Sequence, residues 1–580
     1  MKLNWFVLPL AILLVLSAGC GANQQVSSTK PGVSGIFLEG IPGGDAETLN
    51  WILAADASSF SYAGQTVDSL ATYDNSWNVV LRHMAKPVSV SADGLVYTIT
   101  IRDDLKWSDG KKVTAEDYVY TLKNLMFSEW LNYPYQSDWQ ETVDGEPVFV
   151  QPAVVNETTF TITRRTVNPE FADNAIYSLT PYPKHIAMKY EWDVKAFTQA
   201  DEFNNLTYTG NLGPYKFKEW VRNDKFVVAR NPGFFLGQDD GSPYFEEYVT
   251  KLFGTSAAAL AALEAGDITS AGIEPEQVAR FKQMSKIKVY TMPTSGYDLI
   301  IYNLRKNGWE GLKIKTVRQA LAMSISKKTV IESVRMGFGD PAFSFIPKPS
   351  PWYTEEGVTQ FGFGPLYDTP KARQMLLEAG YGIKKPDGTV VAQGKDGKPI
   401  KLTLVTSPGS SISENLAYLV KQELGDIGIE VEIKLVPWAT LLRQYVMNRV
   451  PGADQEPRYN NGPDSVSEQA WDMIIMGFNT HPIAPSGSRV FFTTGGGLNY
   501  WGYSNSKVDD LFQRVVSKEA LDQTARKQIY GEISRTITDD QPVIFLTFPR
   551  GNSGFQSNVA GIDPGMRLSW NYYKWHFAQP

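Results

Sequence analysis

Four histidines and one cysteine set the first limits on the chemistry available to this chain. His83, His185, His481 and His576 stand far apart and form no HExxH pair, so a zinc hydrolase site has no local framework. The lone Cys20 excludes a disulfide network and any multi-thiolate metal or iron–sulfur centre. There is no Gly-x-Ser-x-Gly elbow, no Gly-x-x-x-x-Gly-Lys-Ser/Thr loop and no Gly-x-Gly-x-x-Gly entering a helix. Asp/Glu pairs are numerous, but the separation that would make two of them a glycosidase pair is set only in three dimensions. No catalytic residue, metal or cofactor is therefore assigned, and a secreted hydrolase stands only as an alternative without a motif. With 55 Lys and Arg against 62 Asp and Glu, the net charge of −7 lacks the basic concentration that nucleic acid demands. What the chain has in quantity is aromatic surface, with 15 Trp and 28 Tyr, suited to lining a cavity or filling a core.

The elements that must carry these side chains begin with an address. Residues 1–20, MKLNWFVLPLAILLVLSAGC, run from a basic start through the apolar stretch Trp5–Leu16 to small residues, the layout of a secretory signal. Leu16-Ser17-Ala18-Gly19-Cys20 resembles a bacterial lipobox, with Ser17 where such boxes usually carry Leu. The only cysteine of the chain falls at the expected cut, which favours lipidation over a plain signal. Residues 21–33 are polar and Gly/Ser/Gln-rich, a tether of about 20 Å if flexible.

Beyond it, strand and helix patterns alternate through a globular composition of 43% hydrophobic and 20% charged residues, which predicts α/β lobes. At roughly 100–200 residues per domain, 580 residues allow about three to five units. Leu95, Tyr97, Ile99 and Ile101 alternate with polar neighbours after the Asp93-Gly94 turn and predict a strand. Ser108-Asp109-Gly110-Lys111 predicts a turn, and Thr114 caps a helix carrying Val119, Leu122 and Met126 on one face. Helices are expected over 256–265, 316–336, 371–379 and 415–427, and strands over 402–405 and 430–436. Asp387-Gly388 and Asp396-Gly397 predict a hairpin across 384–398, and residues 451–470 read as an inserted polar surface loop.

The run Asp93–Leu125, DGLVYTITIRDDLKWSDGKKVTAEDYVYTLKNL, resembles the signature of family-five extracytoplasmic solute-binding proteins, which include the oligopeptide-binding lipoproteins of ABC importers. Gly213-Pro214-Tyr215-Lys216-Phe217-Lys218-Glu219-Trp220, with Arg230-Asn231-Pro232, is similar to the stretch where such chains return to their first lobe. Ala261–Ile268, Val317–Ala322, Ala372–Tyr381, Gly502–Asn505 and Val508-Asp509 match further landmarks in order.

The resemblance implies a two-lobed α/β fold of the periplasmic-binding-protein (Venus flytrap) type with an additional third domain. On that template residues 1–20 are the signal and 21–33 the tether. Lobe one combines 33–55, 206–300 and 550–580, the extra domain with the signature spans 56–205, and lobe two spans 301–549. Lys106, Trp107, Asp109 and Asp117 are then scaffold residues rather than ligand contacts. Ligand is held between the lobes without being altered, as a monomer anchored outside the cytoplasmic membrane, and passed to the transmembrane subunits of an ABC permease.

Site residues follow from the same resemblance. Trp438 and Phe478 match pocket-lining aromatics, Phe478 standing where relatives carry Trp, and Tyr135 matches a Tyr directed toward ligand. His481 departs from the pattern, since oligopeptide binders place there an Asp that pairs with the ligand's α-ammonium. Ile475 likewise stands where relatives carry a cation. An unpaired buried ammonium would cost several kcal/mol. Either another acid, Asp45, Glu39 or Asp472, replaces the missing one, or the ligand lacks a free amine. Oligopeptide is the expected ligand; oligosaccharide, stacking on Trp and Tyr, is the alternative. His481 as a lone metal ligand is a weaker reading, because one imidazole rarely holds a metal unaided.

Overall fold

The computed structural model describes residues 31–578 except 43, 55–56, 132, 134, 144–145, 206–211, 409 and 448–461. Twelve strands form one continuous sheet: β1 (Ile36–Pro42), β2 (Tyr215–Val221), β3 (Lys225–Arg230), β4 (Glu247–Phe253), β5 (Ser270–Gly272), β6 (Ile287–Pro293), β7 (Gly296–Tyr302), β8 (Gly339–Pro341), β9 (Ile400–Thr406), β10 (Ile429–Leu435), β11 (Met473–Asn479) and β12 (Val543–Gln556). Their spatial order is β2-β3-β4-β1-β5-β12-β7-β11-β9-β10, with β6 and β8 also paired to β12.

The fourteen-residue β12 is the key to the architecture. Its first half, Val543–Thr547, pairs with β7 in lobe two. Its second half, Arg550–Gln556, pairs with β6 in lobe one. The consecutive strands β6 and β7 run the opposite way along it, so the chain passes between lobes twice, at Thr294–Ser295 and near Pro549. Val543, Ile544, Phe545 and Leu546 are all buried, as expected for a central strand covered on both faces. The passage at 294–295 lies a few residues before the division at 300 expected from the resemblance.

The buried apolar residues among those described form four cores, one of them a small cluster of lobe one around Leu263, Val278 and Phe281. One core joins lobe one to the extra domain, running from Phe37, Phe226 and Tyr248 through Tyr62 to Ile99, Trp107 and Phe160. Separate cores fill the two faces of the lobe-two sheet. Lobe one and the extra domain thus share one core, and the chain crossings at 294–295 and near Pro549 join it to lobe two.

Within the extra domain, strand Val96–Thr100 sits in a four-stranded antiparallel sheet and turns Tyr97 and Ile99 inward. Helix Ala115–Tyr120 starts with a capping box in which the Thr114 amide donates to Asp117 Oδ2 at 2.8 Å. Asp117 also accepts from the Lys184 amide at 2.8 Å and from Trp107 Nε1 at 3.4 Å. Burial raises its carboxyl above the ordinary range while these donors oppose the shift. The signature residues Trp107 and Asp117 are thereby spent inside the domain.

Gly213, in the returning stretch, lies against the backbone of Thr66; a Cβ there would approach the Thr66 carbonyl carbon to 2.6 Å. Helix Ser256–Ala265 is capped by the Thr255 side chain and ends at Gly266, whose φ is +90°. The 316–336 segment is a helix, Lys315–Met323, followed by a second helical stretch through Val334. Of the expected surface loop 451–470 only 462–470 is described, and that part is anchored. Ser465 and Ser467 are buried, held by Lys306 and Asn307. No helix among the described residues is long and apolar enough to cross a membrane.

Candidate functional site

A cavity of about 520 Å³ opens in the wall formed by lobe one and the extra domain. That size suits a small-molecule or peptide side-chain site. Three segments build it. The short helix Trp51–Leu53 and the following helix supply Trp51 and Phe60; the turn Gln136–Trp139 supplies Asp138 and Trp139; and the π-turn Ala172–Ile176 supplies Asn174. Trp139 is fixed by edge-on contact with Phe171, their ring centres 5.8 Å apart. Tyr135 lies 5.8 Å from Tyr133 and 5.9 Å from Phe60, ring centre to ring centre, and is 37% exposed at the cavity wall.

Lobe two closes against this wall. Tyr530 Oη donates to Glu170 Oε1 at 2.6 Å, and the Ser486 amide donates to Glu170 Oε2 at 3.1 Å. Asn174 Nδ2 donates to Ser486 Oγ at 3.2 Å. Glu170 and Tyr530 are both fully buried at the junction. Burial pushes the Glu170 carboxyl up to about 7, against the downward pull of its two donors and of Arg526.

Two larger hollows, about 970 and 930 Å³, are grooves confined to lobe two. A further one of about 510 Å³ lies between Glu274 and Glu276 of lobe one and Ser411 and Ile412 of lobe two. The 520 Å³ cavity is singled out because Asn174 on its wall directly joins the closure contacts.

Two acids line it, in opposite states. Asp68 pairs with Arg82 at 2.9 Å and accepts from the Ser69 amide, so its charge is compensated. Asp138 is open to the cavity, yet protein surrounds it on most sides. That enclosure raises its carboxyl, while Arg489 of lobe two pulls the other way. No hydrogen bond or ion pair to the Asp138 carboxylate occurs among the described residues.

The expected site residues are not all gathered here. Tyr135 lines the cavity. His481 crosses the junction and packs edge-on against Tyr73 and Trp77, ring centres 5.3 and 5.4 Å away. Burial and nearby Arg567 lower its pKa to about 4, and its Nδ1 accepts from the Ala484 amide at 3.1 Å. His481 is therefore neutral at pH 7, with its proton assigned to Nε2 by that hydrogen bond. Phe478 belongs to an aromatic cluster of lobe two, 4.3 Å from Phe491. Trp438, after β10, is 52% exposed and lines none of the cavities described.

The candidate acids are already engaged. Asp45 accepts from Trp220 Nε1, the Asn223 amide and its neighbour Ala46, and pairs with Arg222 at 3.2 Å. Glu39 accepts from Tyr248 Oη at 2.7 Å. Asp472 accepts from the Thr403 and Trp309 amides at 2.7 and 2.9 Å. Ile475 is buried in β11. Cys20 lies outside the described residues. Asp138, not singled out from sequence, had one available signal: it stands one helical turn after Tyr135. No group of three or more His, Cys, Asp and Glu suited to a metal ion occurs among the described residues.

A family model described as bacterial extracellular solute-binding proteins, family 5 middle, matches residues 79–500. The oligopeptide-binding protein AppA of Bacillus subtilis (strain 168) is 28% identical over 580 residues, covering 98% of each chain. The solved structure of Bacillus subtilis AppA in complex with a nonapeptide superposes with a TM-score of 0.73 at 26% identity, covering 95% of this chain and all of that one. NikZ from Campylobacter jejuni, solved with Ni(L-His), superposes at a TM-score of 0.71 with 21% identity, covering 93% of this chain and 99% of that one. That last likeness is one of fold.

Proposed function

From the match over residues 79–500 the chain belongs to the family 5 bacterial extracellular solute-binding proteins, and we propose that it captures oligopeptides between its two lobes and delivers them unaltered to an ABC importer. The observation that supports this reading is the aromatic cavity beside the lobe junction, whose wall residue Asn174 donates to Ser486 of lobe two next to the Glu170–Tyr530 contact. A hinge at 294–295 and 549 lets the same contacts open and re-form around a guest. The likeness to an oligopeptide-binding protein over 98% of both chains supports peptide as the guest.

Main-chain hydrogen bonds to an extended peptide give affinity that does not depend on side chains, and wet, roomy cavities tolerate variation. The work is binding, and the protein acts as a monomer. Cys20, acylated after signal cleavage, anchors the body outside the cytoplasmic membrane, and residues 21–33 let it reach the permease. The test is mass spectrometry of whatever co-purifies with the protein. Intact peptides of several residues are expected. Recovered glycans would overturn the peptide reading in favour of an oligosaccharide binder, and cleaved products appearing on incubation would overturn the binding reading altogether.

A further inference from the structure

We propose that the extra domain carries a second binding site, for a pyranose ring, built on Trp130 and Trp192. The hollow over these two rings shares no lining residue with the cavity beside the lobe junction and takes none from lobe two. Its occupancy therefore needs no closure, and the site goes beyond the peptide reading without resting on it.

Trp192 is 77% exposed, more than any other large apolar side chain among the described residues. Its φ is +68°, in the left-handed region where glycine is at ease and a bulky residue is strained. The residue stands at the turn between Tyr190 and helix Val194–Gln199, whose first turn Asp193 caps. Neither that turn nor the core calls for an indole here.

The ring is one of a pair. Trp130 lies beside it, ring centres 6.4 Å apart and planes inclined at 42°, so the two indoles open as a wedge. Trp130 is held by its own N–H, which donates to the Asn124 carbonyl at 3.0 Å, and by edge-on contact with Phe197 at 5.7 Å. The hollow measures about 280 Å³, near the small end of ligand sites and suited to one ring.

The rim decides the class of ligand. Lys123 and the Asn124 amide supply donors, and Glu129 and Glu191 supply acceptors. Asn124 Nδ2 donates to Glu191 Oε1 at 3.2 Å, which fixes both groups at the edge of the hollow. That mixture matches a ring whose edge bears hydroxyls that donate and accept, and whose faces present C–H groups to an indole. A hydrocarbon would leave the rim without partners, and an ammonium would meet the Lys123 charge. Few atoms are covered, so affinity is expected in about the millimolar range. The site empties on purification and does not disturb the mass-spectrometric test of the cleft.

The experiment is saturation-transfer difference NMR on the full-length protein and on Trp192→Gly. Maltotriose, cellotriose and triacetylchitotriose are the saccharide probes, and choline is the cationic one. Melting curves and calorimetry with a free-amine nonapeptide accompany each protein. Trp192→Asn, which also accommodates this φ, serves should the glycine variant fold poorly. The expected result is transfer to the ring C–H protons of at least one trisaccharide, with affinity about tenfold weaker in the variant. Peptide affinity stays unchanged, and the glycine variant melts no lower than wild type because the turn is relieved. No saccharide signal from wild-type protein, or one that the variant retains in full, would overturn the site. So would transfer to choline alone, or a parallel loss of peptide affinity, which would show Trp192 acting through the fold of the domain. Failure of the wild-type protein to bind peptide would overturn the peptide reading and leave this site standing.

Discussion

Glu170→Ala is expected to weaken peptide binding by about ten- to a hundredfold while leaving the ligand-free melting temperature within a few degrees. The carboxylate sits on the extra domain and takes its two donors, Tyr530 Oη and the Ser486 amide, from lobe two. These bonds exist only when the lobes meet, so their loss penalises the closed form and not the folding of either body. A buried donor left without its acceptor costs about 1–3 kcal/mol, and a penalty on closure passes directly into apparent affinity. Unchanged affinity would mean that this contact does not contribute to closure.

The same residue sets a pH dependence. In the closed form the Glu170 carboxyl titrates at about 7 because burial disfavours its charge. Once the lobes part and water reaches it, it returns toward an ordinary value near 4.3. The closed form therefore holds the proton more tightly, and closure takes one up between these two values. Affinity should level off above pH 7, rise as pH falls from about 7 to about 6.5, and change little below that, where His481, held near 4 by burial in the closed form, releases a proton on closure and offsets the one that Glu170 takes up. Glu170→Gln should leave only the contribution of His481, an affinity that falls as pH drops from about 6.5 toward about 4. An affinity that still rises on acidification in that variant would assign the proton elsewhere.

Cys20→Ser is expected to move nearly all of the protein from the membrane fraction to the soluble one. Each buried CH₂ is worth about 0.8 kcal/mol, so an acyl chain of about 16 carbons contributes about 12 kcal/mol, and stable anchoring needs two such signals. No helix among the described residues offers a substitute span. Fractionation of cells expressing each form, with and without detergent, gives the answer. Wild-type protein in the soluble fraction, or a serine variant still bound to membranes, would contradict lipid anchoring.

Local signals carried far in this chain, because they are written within a few residues. The alternation at 95–101 yields the strand Val96–Thr100. The Ala/Leu run closed by Gly266 yields a helix with the expected ends, and the DG turns yield the hairpin of Gly382–Lys384 with Val390–Ala392. Helix Ser411–Asp426 starts four residues earlier than its apolar pattern because Ser410, not a hydrophobic residue, caps it.

The site was less legible because its residues meet only in three dimensions. Asp45 reads as a free acid until Trp220, Arg222 and Asn223 arrive from about 175 positions away. The polar stretch around Ser465 and Ser467 reads as exposed until Lys306 and Asn307 pair with it, since a hydrogen-bonded serine can be buried at little cost. Asp138 looks ordinary in sequence, and only the fold places it on the cavity wall beside Tyr135 and Trp139.

The two lobes are expected to close on a guest about the chain crossings at 294–295 and near 549. Double electron–electron resonance between spin labels on Lys216, exposed in lobe one, and Lys421, exposed in lobe two, measures this directly. Addition of a nonapeptide with a free amine should convert a broad distance distribution into a narrow one at the separation of the joined lobes. An identical distribution with and without bound peptide would contradict the account.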